Sequence, residues 1–202
     1  MQINGLTFSY EKFLVFDDFY FESSEPLIAF KGPTGCGKTT LLKIISQNLT
    51  PEKRSVVQYS KNTYFVIQED SLFPWLTGEE NILKFLDLDK KKIQSQKLFP
   101  FLESFFSKKA SEMSYGQRRM IELFRAFLFK PDLLLLDEPF NFLDKKSRGV
   151  FTSEILSLLE SKTKVILTSH YNEDISDLKP KVYYFNDYFP VRKLSTEVDK
   201  QQ

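Results

Sequence analysis

The chain has 202 residues and a formal net charge of +1 at pH 7, so its size suits one domain and its charge gives no overall field for nucleic acid or an anionic membrane surface. The single cysteine, Cys36, excludes an internal disulfide and a thiolate metal cluster. Even the run of four leucines at 133–136 is far too short to span a bilayer, and the first residues lack the pattern of a secretory signal.

Strands alternate with helices along the chain. Short apolar runs bounded by turn signals predict buried strands at residues 27–30, 63–67, 133–136, 164–168 and 182–185. Apolar residues at helical spacing predict helices at 38–48, 117–129 and 148–160. Continuous apolar runs suit parallel strands that are covered on both faces. The predicted fold is therefore α/β, with a mainly parallel sheet flanked by helices.

Residues 78–110 carry no strand pattern and are rich in Leu, Phe and Lys. We expect two or three short helices there, inserted into the α/β core. Together with the helix that ends at 129, they would form a helical subdomain of about residues 78–129 within one domain that spans 1–202. The tail from Leu194 is polar and is expected to fray.

A glycine-rich segment links the first buried strand to the first predicted helix. Its order, Gly-x4-Gly-Lys-Thr, is that of a phosphate-binding loop, and the strand–loop–helix context is the one such a loop requires. Glycines let successive N–H groups point at phosphate oxygens, and the helix N-terminus adds a positive dipole end. We expect nucleotide contacts from Gly32, Pro33, Thr34, Gly35, Cys36, Gly37, Lys38, Thr39 and Thr40.

Three side chains of this loop receive specific roles. Lys38 is expected to reach the β- and γ-phosphates of ATP, the Thr39 hydroxyl to ligate Mg²⁺, and Thr40 to support the α-phosphate region. Cys36 is expected to contribute mainly its backbone, so we assign it no redox role.

Two acids follow the four leucines directly. The carboxyl ends of parallel strands are where such sheets bind ligands. Asp137 is therefore expected to hold Mg²⁺ through water, and Glu138 to act as the general base on the attacking water.

A third motif lies between these two, about twenty residues before Asp137. Met113-Ser114-Tyr115-Gly116-Gln117 resembles the signature motif, Leu-Ser-Gly-Gly-Gln, of the ATPase subunits of ABC transporters. The resemblance extends over nearly the whole chain. It implies a P-loop NTPase fold with a helical subdomain, and ATP and Mg²⁺ as cofactors.

The resemblance assigns further residues one at a time. Gln68 resembles the glutamine that senses Mg²⁺ and the attacking water, and His170 the histidine that contacts the γ-phosphate. Tyr10 resembles the aromatic residue that stacks on adenine, although Phe8 and Phe13 are neighbouring alternatives.

Family ATPases work as head-to-tail pairs, either of one chain or of two related chains. The resemblance implies that Ser114, Gly116 and Gln117 of one chain cover the γ-phosphate of an ATP held by the phosphate loop of the other. Each site would then be composite, closing on ATP and opening after hydrolysis.

The sequence also departs from the family pattern. Tyr115 stands where the signature usually has glycine, although ATPases resembling those of branched-chain amino-acid importers tolerate a side chain there. Asn141-Phe142 replaces the commoner Ser-Ala of the D-loop, whose acid matches Asp144. The segment 49–63 is short, so the antiparallel β-subdomain should be reduced.

The residues after Gln68 resemble those of nitrate, sulfonate and taurine importers. Phe73, Trp75 and Leu76 would line the groove that receives a transmembrane permease subunit, which implies a peripheral position on the cytoplasmic face of the inner membrane and no nucleic-acid partner. Alternatively, Trp75 packs inside the helical subdomain.

Three functions stay open on the sequence. The chain could energise a membrane transporter, either an importer of a small solute or an exporter. It could be an ABC-type ATPase that is not tied to transport. It could also be an unrelated P-loop kinase or GTPase, although that reading leaves the signature and His170 unexplained.

Overall fold

Two β-sheets and six α-helices form the part of the chain that the computed structural model describes, which is residues 1–52, 55–57, 60–170, 175–185 and 189–196. In chain order the elements are β1 (Gln2–Tyr10), β2 (Phe13–Glu22), β3 (Leu27–Lys31), α1 (Lys38–Ile45), β4 (Val56–Val57), β5 (Thr63–Val66), α2 (Gly78–Leu83), α3 (Lys90–Gln94), α4 (Phe99–Phe106), α5 (Tyr115–Phe129), β6 (Leu133–Leu136), α6 (Lys145–Glu160), β7 (Lys164–Thr168) and β8 (Lys181–Tyr184).

The larger sheet has five parallel strands in the order β5-β6-β7-β3-β8. Leu136, the last residue of β6, pairs with Val66 of β5 and with Leu167 of β7, so these strands end at one edge. The loops that follow β3, β5, β6 and β7 therefore emerge side by side. All five predicted strands are present, and the bounds of β3, β5 and β8 differ from the predicted ones by one residue.

Both faces of the parallel sheet are covered, as the continuous apolar runs predicted. Along β6 the side chains alternate between two cores. Leu134 and Leu136 face the core that contains α5 and α6, whereas Leu133 and Leu135 face the core that contains α1 and the smaller sheet. The sheet thus lies between two hydrophobic clusters and contributes side chains to both.

The smaller sheet is antiparallel and has the order β2-β1-β4. The expectation of a reduced antiparallel subdomain is confirmed, since β4 contributes only two residues. Neither β1 nor β2 is among the strands predicted from the sequence. Register shifts at Leu6 and Phe8 break the two-residue alternation that marks a strand, which explains the omission.

The helix starts follow from side-chain caps. The Ser114 hydroxyl accepts a hydrogen bond from Gln117 N–H, and Gln117 Oε1 accepts one from Ser114 N–H. This reciprocal cap starts α5 at Tyr115 rather than at the predicted residue 117. At α6 the Asp144 carboxylate accepts from Ser147 N, so the helix begins at Lys145, three residues before the predicted start. The helix α1 ends at Ile45 instead of 48, because Gln47 turns into the left-handed region at φ 63°.

Three short helices, α2, α3 and α4, occupy the segment 78–110, as the sequence indicated. Asn81, which is 0% exposed, ties this segment to the loop before it. Its Oδ1 accepts from Phe73 N at 2.8 Å, and its Nδ2 donates to Phe73 O, Leu76 O and Thr77 O at 3.0–3.2 Å. Within the described ranges, no helix combines the length and apolar character needed to cross a bilayer.

Replacing Asn81 by alanine should destabilise the fold by about 2–4 kcal/mol, because it leaves several buried backbone groups without partners. Urea unfolding followed by circular dichroism measures this change. Asn62→Ala is the matched control, since it removes one long amide bond near the surface and should cost less than about 0.5 kcal/mol. Equal midpoints for the two variants would contradict this account of Asn81.

Candidate nucleotide site

The segment between β3 and α1 forms a loop with unusual backbone angles. Gly32, Gly35 and Gly37 have φ of 148°, 82° and 104°, a region that side chains strongly disfavour. At Gly32 a Cβ would also lie 2.8 Å from the Cβ of Phe185. Gly37 is the N-cap of α1 and carries no capping side chain, which leaves this helix end suited to an anion.

Lys38 lies against its own loop. It is 5% exposed, and its Nζ donates to Gly32 O and Pro33 O at 2.8 Å each. Its predicted contact with the β- and γ-phosphates therefore stays a prediction. Cys36 is buried beneath the loop, and burial raises the pKa of its thiol, in keeping with a residue that supplies only backbone.

The carboxylate of Asp137, which directly follows β6, joins the start of α1 to the end of β7. Thr39 donates to its Oδ2 at 2.7 Å and Thr168 donates to its Oδ1 at 2.6 Å. Asp137 is 1% exposed, and burial raises its pKa, although the two hydroxyl donors act in the opposite direction. Thr39 and Asp137, two of the three side chains predicted to contact Mg²⁺, are thus bonded to each other, and Gln68 is the third.

Glu138 is held in place by three neighbours. Its Oε1 lies 2.6 Å from His170 Nε2, and its Oε2 accepts from Asn141 Nδ2 at 2.5 Å and from Gln68 Nε2 at 3.4 Å. Its backbone is in the left-handed region at φ 47°, and its N–H donates to the Thr168 hydroxyl at 2.9 Å. The three predicted catalytic side chains, Glu138, His170 and Gln68, therefore meet.

The phosphate loop and the three predicted catalytic side chains face a common cleft of about 290 Å³. Its walls are the phosphate loop on one side and the predicted catalytic side chains on the other. Gly32, Pro33 and Cys36 belong to the loop but are not among the described lining residues, and neither is Asp137. The lining residues are Thr34, Gly35, Gly37, Lys38, Thr39, Thr40, Gln68, Glu138 and His170.

The three candidate adenine-stacking residues differ in exposure. Phe8 is only 8% exposed and packs edge-on against Tyr10, so its ring is not available for stacking. Tyr10 is 43% exposed, and its hydroxyl oxygen lies 3.4 Å from that of Thr40, beside the phosphate loop. Phe13 is 53% exposed and contacts Phe189. Exposure and position favour Tyr10 over Phe8.

The signature residues lie away from that cleft. Ser114, Gly116 and Gln117 line a separate depression of about 270 Å³, and none of them is among the described residues that line the phosphate cleft. At Gly116 a Cβ would lie 2.6 Å from Phe142 O, so close packing within the chain requires glycine at this position. The structure therefore does not bring the signature to the phosphate loop of the same chain.

Some supporting residues received no role from the sequence. Thr168 bridges Asp137 and Glu138, and Asn141 holds the Glu138 carboxylate. Arg119 is 2% exposed and donates to Ile67 O and Asp137 O at 2.5 Å each. A buried arginine on an amphipathic helix is the signal that could have indicated its clamping role.

Comparisons with known proteins agree with this geometry. A family model described as ABC transporter matches residues 18–141, which is more than half of the chain. The aliphatic sulfonates import ATP-binding protein SsuB of Bacillus cereus is 35% identical over 167 residues, covering 77% of this chain and 64% of that protein. The match thus spans slightly less than two thirds of that relative's length.

Two solved structures share the fold. An ATP-binding subunit of an ABC transporter superposes with a TM-score of 0.82 at 20% identity, covering 98% of this chain and 90% of that one. The dimeric bacterial ABC transporter cassette MJ0796 gives a TM-score of 0.76 at 19% identity, covering 96% of this chain and 97% of that one. The P-loop NTPase fold is therefore confirmed, and the chain belongs to the ABC transporter family, of which it carries the ATP-binding domain.

Proposed function

We propose that this chain binds ATP with Mg²⁺ and hydrolyses it, and that hydrolysis drives a membrane importer of a small solute. The observation that carries the proposal is the position of Glu138. Its carboxylate lies in one cleft with the phosphate loop and is bonded by Gln68, Asn141 and His170. A carboxylate oriented in this way is suited to accept a proton from water at the γ-phosphate.

The cation would lie between the Thr39–Asp137 pair and the phosphates. Thr39 Oγ1 and Asp137 Oδ2 are 2.7 Å apart, so both oxygens are available to one small ion, and Gln68 borders the same cleft. Oxygen ligands of this kind suit Mg²⁺, which takes its remaining ligands from phosphate and water. When bound, the ion neutralises charge on the phosphate oxygens.

The remaining side chains divide the work around the γ-phosphate. Glu138 takes the proton of the attacking water, and His170, whose side chain is 26% exposed, is placed to donate to the phosphate. Gln68 forms the longest of the three bonds to Glu138 and so is the neighbour most readily released to orient the water. Lys38 would leave its carbonyl partners to meet the β- and γ-phosphates.

A second copy, or a related ATPase chain, would complete each site. The signature depression and the phosphate cleft have no lining residue in common, and Ser114 and Gly116 line only the depression, which supports this arrangement. The likeness to a dimeric cassette gives further support. Ser114 Oγ and the start of α5 would then face the γ-phosphate held by the partner.

The membrane partner would dock on an exposed group of aromatic rings. Trp75 is 65% exposed and Phe85 is 52% exposed, and Phe73 lies between them, with ring centroids 5.3 Å from Trp75 and 5.8 Å from Phe85. This exposure disfavours the alternative in which Trp75 packs inside the helical subdomain, and Leu76 beside it is half-buried. Phe85 is an addition to the residues named from the sequence.

The importer proposal rests on the relatives. The sulfonate protein is an import ATP-binding protein by its name, which supports import over export and over an ATPase without a transporter. We propose that the chain lies on the cytoplasmic face of the inner membrane, bound to a permease subunit through Phe73, Trp75 and Leu76. Family membership leaves no support for an unrelated kinase or GTPase.

Glu138→Gln should lower kcat for ATP hydrolysis by about 10²–10⁴-fold, because the amide cannot accept the proton of the attacking water. ATP should still bind, and the variant should sediment as an ATP-bound dimer. Phosphate release and analytical ultracentrifugation measure the two effects. Glu160→Gln, an exposed change at the end of α6, is the matched control. Normal turnover in Glu138→Gln would contradict the assignment of the base.

The specific rate of ATP hydrolysis should rise with protein concentration before it reaches a plateau, because only paired chains form complete sites. Turnover measured across about two decades of protein concentration checks this. A rate strictly proportional to concentration, down to dilutions at which sedimentation shows monomers, would argue against composite sites.

Trp75→Ala and Phe85→Ala should each weaken sedimentation of the chain with membranes of its source cells, while ATPase activity of the isolated chain stays within about twofold. Leu156→Ala, a single exposed apolar side chain on α6, is the control and should bind as the unaltered chain does. Trp75 is also the only tryptophan, so its fluorescence should shift to shorter wavelength on docking. Unchanged sedimentation of both variants would contradict this docking surface.

A further inference from the structure

Tyr115 contacts two loops that flank the catalytic carboxylate. It is the first residue of α5, directly after the signature serine, and it is half-buried. Its hydroxyl donates to Gln68 O at 2.9 Å. Its ring packs edge-on against Phe142, with 4.4 Å between the ring centroids. One side chain of the signature therefore holds both the segment after β5 and the turn after β6.

The residues that Tyr115 holds are those that supply two donors to Glu138. Gln68, whose carbonyl it binds, donates from Nε2 to Glu138 Oε2. Asn141, which precedes Phe142, donates to the same oxygen at 2.5 Å. Both donors thus reach a single carboxylate oxygen from segments fixed by a single tyrosine.

The turn that contains Phe142 needs such support. Phe142 is 70% exposed and has φ of 65°, so its backbone is strained and its ring gains little from burial. Among the described residues, Tyr115 is the one whose ring packs against the ring of Phe142. Burial raises the pKa of Tyr115, so its hydroxyl stays protonated and able to donate.

We propose that Tyr115 is a positioning residue that sets Gln68 and Asn141 on the Glu138 carboxylate and thereby couples the signature to the catalytic base of the same chain. This inference rests on the proposed function. Since Ser114 and Gly116 would cover a nucleotide held by the partner, Tyr115 links the closure of one site to the geometry of the other. A glycine at this position could make neither contact.

Two substitutions separate the contacts. Tyr115→Phe removes the hydroxyl donor and keeps the ring, and should lower kcat about 3–10-fold, the usual effect of one hydrogen bond. Tyr115→Ala removes both contacts and should lower kcat further. The KM for ATP should stay within about twofold in both, because neither contact touches the nucleotide. Tyr20→Phe is the matched control, since it removes an exposed hydroxyl bond to Glu22 on β2 and should leave kcat unchanged.

A double-mutant cycle distinguishes positioning from general stability. On an Asn141→Ala background, Tyr115→Ala should cost clearly less in kcat than it does in the unaltered chain, because one of the donors it positions is already missing. A merely structural role would give independent losses that multiply, together with a lowered unfolding temperature. Multiplicative losses would overturn the proposal, and so would kcat within twofold of the unaltered chain for Tyr115→Phe and Tyr115→Ala.

The result is distinguishable from failure of the proposed function. No turnover by the unaltered chain, or full turnover by Glu138→Gln, would overturn the catalytic assignment and this inference with it. Turnover that Glu138→Gln abolishes but Tyr115→Phe and Tyr115→Ala leave intact would overturn the inference alone.

Discussion

The buried carboxylate of Asp137 is the constraint on which the candidate site depends. It accepts from a hydroxyl at the start of α1 and from another at the end of β7, while it belongs to the chain that leaves β6. Because these strands are parallel and end at one edge, a single charged group can fix three connections at once. Burying a carboxylate without hydrogen bonds is energetically costly, so the two hydroxyls stabilise its charge. The same two bonds hold the start of α1 and the end of β7 in place relative to the segment after β6.

Buried charged side chains of α5 also bind the segments that follow β5 and β6. Arg119 of α5 donates to Ile67 O, just after β5, and to Asp137 O, just after β6, and Glu122, one turn later, accepts from Ser71. These buried charges bind the helix that follows the signature to the ends of β5 and β6. The position of the signature is therefore coupled through direct bonds to the turn that carries Glu138, and Tyr115 adds a further contact to that turn.

The sequence predicted the parts of the site that are local. The phosphate loop and the Asp137-Glu138 pair are recognisable because spacing and neighbouring elements define them. The family resemblance then added Gln68 and His170, which the structure brings to Glu138. The contact from Tyr115 to Gln68 O joins residues 47 positions apart, and its geometry depends on how α5 packs on the sheet. Long-range contacts of that kind have no periodic signal, which is why Tyr115 appeared only as a departure from the family pattern.

The left-handed backbone at Glu138 has a consequence for the evolution of the chain. Glutamate at φ 47° lowers the stability of the fold, and glycine or asparagine would adopt that conformation more easily. Either replacement would also remove the carboxylate. With Glu138 as the proposed base, selection for a more stable protein and selection for an active one oppose each other at this single position. A lineage released from the need to hydrolyse ATP would be expected to lose its glutamate early and to gain stability in doing so.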